Sequence, residues 1–246
     1  MSKEKIYKFT DPAKPAASLI LLIKFEIVLA LISVISSINE LRVLTGIKNR
    51  NFASEEAMNS AANCSDIIEA VIGCIQLLLA GVVLIVFLRW MYRAAANNHA
   101  WRIENITQKP HWGWINYIIP FWSLVKPYEF FREIWNAVEF DKSEPAAWKK
   151  LPAPKCLKIY WTCFLISNIL GRAVFRMTLK AESVDAMITV NSLNMLNEFV
   201  DIVLNMALIA LIAGIMQRQK AFAAKVEDAS QAVALPTADL TYLQQN

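Results

Sequence analysis

Apolar residues gather along this chain in four blocks, each long enough to cross a hydrocarbon core, which takes about 20 helical residues. They cover 17–38 (ASLILLIKFEIVLALISVISSI), 67–88 (IIEAVIGCIQLLLAGVVLIVFL), 157–177 (LKIYWTCFLISNILGRAVFRM) and 196–216 (LNEFVDIVLNMALIALIAGIM). The pattern predicts an all-α integral membrane protein with four transmembrane helices. Polar residues divide it into an N-tail (1–16), a first hairpin (17–88), a connection (89–156), a second hairpin (157–216) and a partly disordered C-tail (217–246).

A fifth apolar stretch, WGWINYIIPFWSLVKPYEFFREIW at 112–135, does not fit a span. As a helix its uninterrupted part, 115–125, rises only about 16 Å, half of a hydrocarbon core. Pro120 sits in the middle and Pro127 follows. Each proline removes a backbone donor and turns the preceding residue away from helical geometry. Lipid offers no partner for the freed groups. The stretch is therefore expected to dip into the inner leaflet or lie among the headgroups, as a proline-broken interfacial or re-entrant segment. Next, Phe130, Phe131, Ile134, Trp135 and Val138 fall on one helical face, with Glu129, Arg132, Glu133 and Asn136 on the other. This amphipathic helix is expected either on the inner membrane surface or against the cytoplasmic ends of the spans.

Charge sets the orientation. The N-tail carries Lys3, Lys5, Lys8 and Lys14. The connection carries Arg89, Arg93 and Arg102, then Lys142, Lys149, Lys150 and Lys155, and the C-tail opens with Arg218 and Lys220. The two loops expected on the other side, 39–66 and 178–195, hold fewer basic residues, and acids accompany those of the first. The bias of Lys and Arg to the cytoplasmic side then puts both termini and the connection inside.

Composition agrees: 56% of the residues are hydrophobic and 19% charged, against about 25% charged in a soluble domain. A net charge of +4, dispersed along the chain, does not suggest nucleic acid. Cys64, Cys74, Cys156 and Cys163 form no CxxC pair, and His99 and His111 have no zinc spacing, so neither a disulfide framework nor a metal or other cofactor is expected. No nucleotide-binding glycine loop, HExxH or GxSxG motif is present, which argues against an enzyme. Seven of the eight tryptophans lie between 90 and 148, a density that suits an interface where the ring is buried and its N–H stays wet.

FLRWMYRAAANNHA, with Trp90, Arg93 and Asn97, is followed by a segment carrying Trp114, Ile119 and Pro120, Leu124, Pro127, Glu133 and Trp135. Together with FTDP at 9–12, these pieces resemble the bacterial multi-pass membrane family catalogued as domain of unknown function 4328. The resemblance covers most of the chain, with its core at about 87–136. It implies membrane architecture and a bacterial inner-membrane location, and brings no biochemical activity with it.

Three groups of residues could carry function. Trp90, Arg93 and Asn97 share a helical face, and with Trp114, Pro120, Pro127, Glu133 and Trp135 they form a candidate interfacial clamp or lipid-headgroup site, in which Arg93 meets Glu133 or a lipid phosphate. Arg172 and Arg176 on the third span stand at the depth of Glu198 and Asp201 on the fourth, and the four are expected to pair as an interhelix charge cluster. Glu26, Gln76, Asn168 and Asn205, one from each span, fall near the midplane and form a candidate polar layer. The first function class these suggest is a non-enzymatic membrane protein that meets lipid or a protein partner through its aromatic cytoplasmic face. The alternative is a small transporter, channel or lipid-binding protein using the midplane layer.

Overall fold

A computed structural model describes residues 6–119, 121–141 and 143–234; Pro120, Lys3, Lys5 and the tail 235–246 lie outside the described residues. Every regular element among them is helical. Four long helices, α1 (Ala13–Lys48), α2 (Glu55–Ala100), α5 (Lys155–Thr178) and α6 (Val184–Ala234), are joined by two short turns and one long connection. The connection carries two shorter helices, α3 (Trp112–Ile118) and α4 (Lys126–Asn136), and three single 3-10 turns.

Three of the long helices, α1, α2 and α6, are long and apolar enough to cross a membrane. The fourth, α5, has 24 residues, but Asn168, Arg172 and Arg176 interrupt its apolar run. The helices run well past the expected spans. The 46 residues of α2 rise about 69 Å and the 51 of α6 about 76 Å, more than twice a hydrocarbon core. The stretches 39–66 and 178–195, expected as loops, are therefore largely helix, and the turns shrink to 49–54 and 179–183. Two local signals explain the tightness of the first turn. Arg50 takes positive φ (55°) just past α1, and the Asn51 N–H returns to the Gly46 carbonyl at 2.9 Å, a helix-ending geometry. Ser54 then caps α2 by accepting from the Ala57 N–H at 3.2 Å, with Glu55 and Glu56 in the first turn where the helix dipole favours acids. Lys48 and Asp185 join the two turns at 2.6 Å.

The long helices pack in the order α2, α1, α6, α5, with α1 between α2 and α6 and α6 between α1 and α5. The edge helices α2 and α5 are brought together at the connection end by α4. Phe131, fully buried, reaches Phe87 and Trp90 of α2 (ring centroids 5.9 and 6.4 Å) and Tyr160 of α5 (6.2 Å). Phe130 and Ile134 are buried beside it, in one cluster with Leu19, Ile23, Leu211 and Ile212. The apolar face of α4 thus packs on the ends of the long helices, the second of the two placements expected for it. Asn136 departs from its expected polar face: it is buried and donates to the Leu151 carbonyl at 2.9 Å. Pro127 opens α4 within its first turn, where a missing N–H costs nothing. It starts a helix here and breaks none.

The 112–135 stretch resolves into α3, a turn and α4. Ile118, Phe121, Trp122, Leu124 and Val125 form an apolar tip whose side chains are largely exposed. Phe121 holds positive φ (65°) at its apex. Behind the tip, the Trp161 indole N–H on α5 donates to the Leu124 carbonyl at 3.2 Å, satisfying a backbone group that the broken helix leaves free.

Past the apolar block α6 continues as helix to Ala234, through the part of the C-tail that lies among the described residues. At Gly214 the helix meets the edge of the Trp135 ring, and a Cβ built there overlaps it. Gly214→Ala is expected to destabilise the protein by about 1–3 kcal/mol through overpacking, read as earlier loss of folded protein on heating in detergent. Adding Trp135→Leu should recover most of that loss. A Gly214→Ala protein as heat-stable as the parent would refute the contact.

Candidate functional site

Among the described residues α2 and α5 stand at opposite edges of the helix order, and a cleft of about 460 Å³ opens among α1, α2 and α6. Its polar lining is Glu26 from α1, Gln76 from α2, and Glu198, Asp201 and Asn205 from α6. Helical spacing selects these positions. Glu26 and Ser33 differ by seven residues, as do Glu198 and Asn205, so each pair stands within about 20–40° on its own helix. Glu198 is the most buried of the acids, 9% exposed. It accepts one hydrogen bond from the Ser33 hydroxyl and one from the Gln76 side-chain amide, both at 3.1 Å. Asp201 accepts from the Asn197 amide at 2.8 Å, with Ser167 of α5 also against it.

Three members of the expected midplane layer, Glu26, Gln76 and Asn205, line this cleft. Asn168 does not. Its amide turns back to the Phe164 carbonyl of its own helix at 2.8 Å and the side chain is exposed. The expected charge cluster does not assemble either. Arg172 and Arg176 are exposed on α5 and take part in none of the three ion pairs found among the described residues. The reason is rotational. Both arginines lie on the outward side of α5, where a long side chain can carry its charge to water, while Glu198 turns toward α1 and α2 and Asp201 meets Ser167 on the other side of α5. The acids that were to be neutralised by arginine are held instead by hydroxyls and amides, and no Lys or Arg lines the cleft.

The expected clamp also rearranges. Asn97 is almost fully buried and binds the N-tail through both sides of its amide: the Thr10 N–H donates to its Oδ1 and its Nδ2 donates to the Thr10 carbonyl, each at 3.1 Å. The same Nδ2 reaches Gln219 Oε1 on α6 at 3.1 Å. Gln219, fully buried, donates to the Ala94 carbonyl at 2.7 Å and to Asn98 Oδ1 at 3.2 Å. Around this amide hub Phe9 stacks on Trp101 (5.1 Å), which meets Phe222 of α6 edge-on (4.9 Å). The hub joins the N-tail, α2 and α6.

Arg93 stays outside it, exposed. It does not meet Glu133, whose carboxylate accepts from the backbone N–H of Thr107 (3.1 Å) and of Gln108 (3.0 Å), and from the Thr107 hydroxyl. Glu133 therefore organises the 101–110 loop. Trp90 is fully buried and its indole N–H has no hydrogen-bond partner, so it packs the core and is not an interfacial ring with a wet tip. Trp135 covers Gly214 and lies under the Arg218 guanidinium, 5.0 Å from its centroid. Trp114 is exposed beside the apolar tip. Pro120 falls outside the described residues.

An all-helical chain with three helices apolar enough to cross a membrane, and polar side chains turned into a cleft between them, is built as a membrane-embedded protein. Residues 54–217 match the family described as domain of unknown function, DUF4328, and the chain belongs to that family. The match begins at the start of α2, so α1 and the FTDP of the N-tail lie before it. No curated protein and no solved structure matches the chain.

Asn97→Ala removes both hydrogen bonds to the exposed Thr10 and leaves the buried Gln219 Oε1 unpaired, a loss of about 1–3 kcal/mol for that group. The N-tail should detach, so that trypsin cuts at Lys8 faster than in the parent. Arg93→Ala should leave the cleavage rate unchanged. Equal cleavage of Asn97→Ala and parent would show that the hub does not hold the tail.

Proposed function

We propose that this protein is a small non-enzymatic carrier of the bacterial inner membrane, which binds a monovalent cation, the proton included, in the cleft between α1, α2 and α6. It crosses the membrane four times, with both termini and the connection inside and the turns 49–54 and 179–183 outside. The observation that carries the reading is one open cleft lined by Glu26, Glu198 and Asp201 with no basic side chain. Carboxylates withdrawn from water need a positive partner or a proton, and here the chain supplies none. Oxygen ligands suit hard cations.

Supporting the fourth span, α5 is about 36 Å long at 1.5 Å per residue, pairs along α6, and exposes Ile159, Ile166, Ile169 and Phe175 on its free side. The charge bias supports the orientation. A lipid-contacting role for the connection is favoured by the exposed apolar tip around Phe121 and Trp122. Four other aromatics of that region, Trp90, Phe130, Phe131 and Trp148, are buried in packing and offer little surface to a protein partner.

In proteoliposomes under a potassium diffusion potential, with internal pH and sodium read by trapped dyes, the protein should raise proton or sodium entry roughly tenfold or more over empty liposomes. Glu198→Gln should abolish this, and Glu133→Gln should not. Flux no greater than in empty liposomes for protons, sodium and potassium would defeat the carrier reading. For the tip, a spin label at Phe121→Cys should be more accessible to oxygen than to a water-soluble nickel chelate, and the reverse order would put the tip in water.

A further inference from the structure

The cleft does not end the polar surface between α1, α2 and α6. Toward the two short turns the same helix faces carry Ser37 and Glu40 on α1, Ser65 and Glu69 on α2, and Asn191 on α6. Ser33, Ser37 and Glu40 stand within about 60° on α1, and Ser65, Glu69 and Gln76 within about 60° on α2. The Asn191 amide donates to the Ser37 carbonyl at 2.9 Å, and Glu40 faces Glu69 and Asp66 across the α1–α2 seam. This level lies about 10 Å, seven residues, beyond Glu198.

Acids in a row would by themselves say little. The second observation is a set of buried polar atoms with nothing to bind. The hydroxyls of Ser37 and Ser65, Asn191 Oδ1 and one carboxylate oxygen of Glu69 are buried without a hydrogen-bond partner, and Ser37, Ser65 and Asn191 are at most 4% exposed. Unsatisfied buried polar atoms are costly, and these four, spread over about 10 Å along three helices, are oxygen ligands waiting for a donor or a cation. In the other direction the cleft is stopped. One to two turns beyond Glu26, Gln76 and Asn205 come Ile23, Val83, Leu208, Leu211 and Ile212, all buried in the apolar cluster that α4 closes.

We propose that Ser37, Glu40, Ser65, Glu69 and Asn191 form a second site, a vestibule that takes up monovalent cations from the turn end and delivers them to the Glu198 cleft, while the apolar plug closes the connection end. The vestibule rests on the carrier reading for its purpose, but its access and charge preference are properties of its own. A hydrated cation meets hydroxyl and amide oxygens there before the carboxylates below. Small anions are repelled by Glu40, Glu69 and Asp66. The plug makes the cleft reachable from one side only, as a carrier requires and an open pore does not.

Thiol chemistry tests this without any transport measurement. In the full chain, with its four free cysteines (Cys64, Cys74, Cys156 and Cys163) replaced by serine, Ser37→Cys, Ser65→Cys and Asn191→Cys are introduced singly on three different helices. Each is reacted in bilayers with a trimethylammonium methanethiosulfonate and with its sulfonate counterpart. The cationic reagent is expected to react roughly tenfold faster than the anionic one. The ratio should fall toward one when Glu40→Gln and Glu69→Gln are added. Leu211→Cys, in the plug, should resist both reagents. A ratio that ignores Glu40 and Glu69, or Leu211→Cys reacting as fast as Ser37→Cys, overturns the vestibule. If the vestibule passes and the flux measurement fails, the carrier reading falls alone. If flux is present and the ratio is flat, the vestibule falls alone.

Discussion

One short amphipathic helix decides the form of this molecule. Apolar packing against lipid gives no net drive for helices to associate, so spans need specific contacts to stay together. At the connection end α4 supplies them. It inserts Phe130, Phe131 and Ile134 between α2 and α5, and Phe131 alone reaches rings on both. The amide hub of Asn97, Asn98 and Gln219 adds polar fastening at the same end. At the turn end the only ion pair among the described residues is the exposed Lys48–Asp185 contact, and exposed pairs contribute little. The aromatic and amide fastening among the described residues therefore gathers at the connection end, and the cleft opens away from it.

That asymmetry also explains the distribution of polar residues. At the connection end Gln219 and Asn136 are bonded to carbonyl groups, while the Trp90 indole N–H is left without a partner. Toward the turns the hydroxyls of Ser37 and Ser65 and one Glu69 oxygen are buried without one. A sequence under selection only for a stable assembly would place apolar side chains at such positions, since replacing buried polar groups by well-packed apolar ones is often neutral or stabilising. Retaining acids there points to a use.

Much of the fold was legible before the structure. Continuous apolar runs mark α1, α2 and α6, and the spacing of Phe130, Phe131, Ile134 and Trp135 identifies the buried face of α4. The depth rule brought Glu26, Gln76 and Asn205 to one level because rise per residue is fixed. Depth alone does not give rotation, which is why Asn168 and the two arginines of α5 were misassigned: they share the level of the cleft and face away from it. The lengths of α2 and α6 were missed because hydropathy ends where lipid would end, while the hydrogen-bonded helix continues in amphiphilic sequence. Gln219 gave no signal, being one polar residue in a polar segment. Ser33 and Ser37 offered one that was overlooked, an i, i+4 pair in register with Glu26 and Glu40.

The unbroken course of α6 has a mechanical consequence. From Asn191 through Glu198 and Asp201 to Phe222, the wall of the cleft and the strut behind the hub belong to a single rod, with no proline or glycine kink between the cleft and Gly214. Such a rod tilts more readily than it bends. With Trp135 seated on Gly214 as a fulcrum, a small inward swing of the long arm that bears Glu198 must be answered by an outward swing of the short arm that bears Phe222, Trp101 and the N-terminal strap. Any tilt at the cleft would then reach the amide hub and the N-tail through one lever.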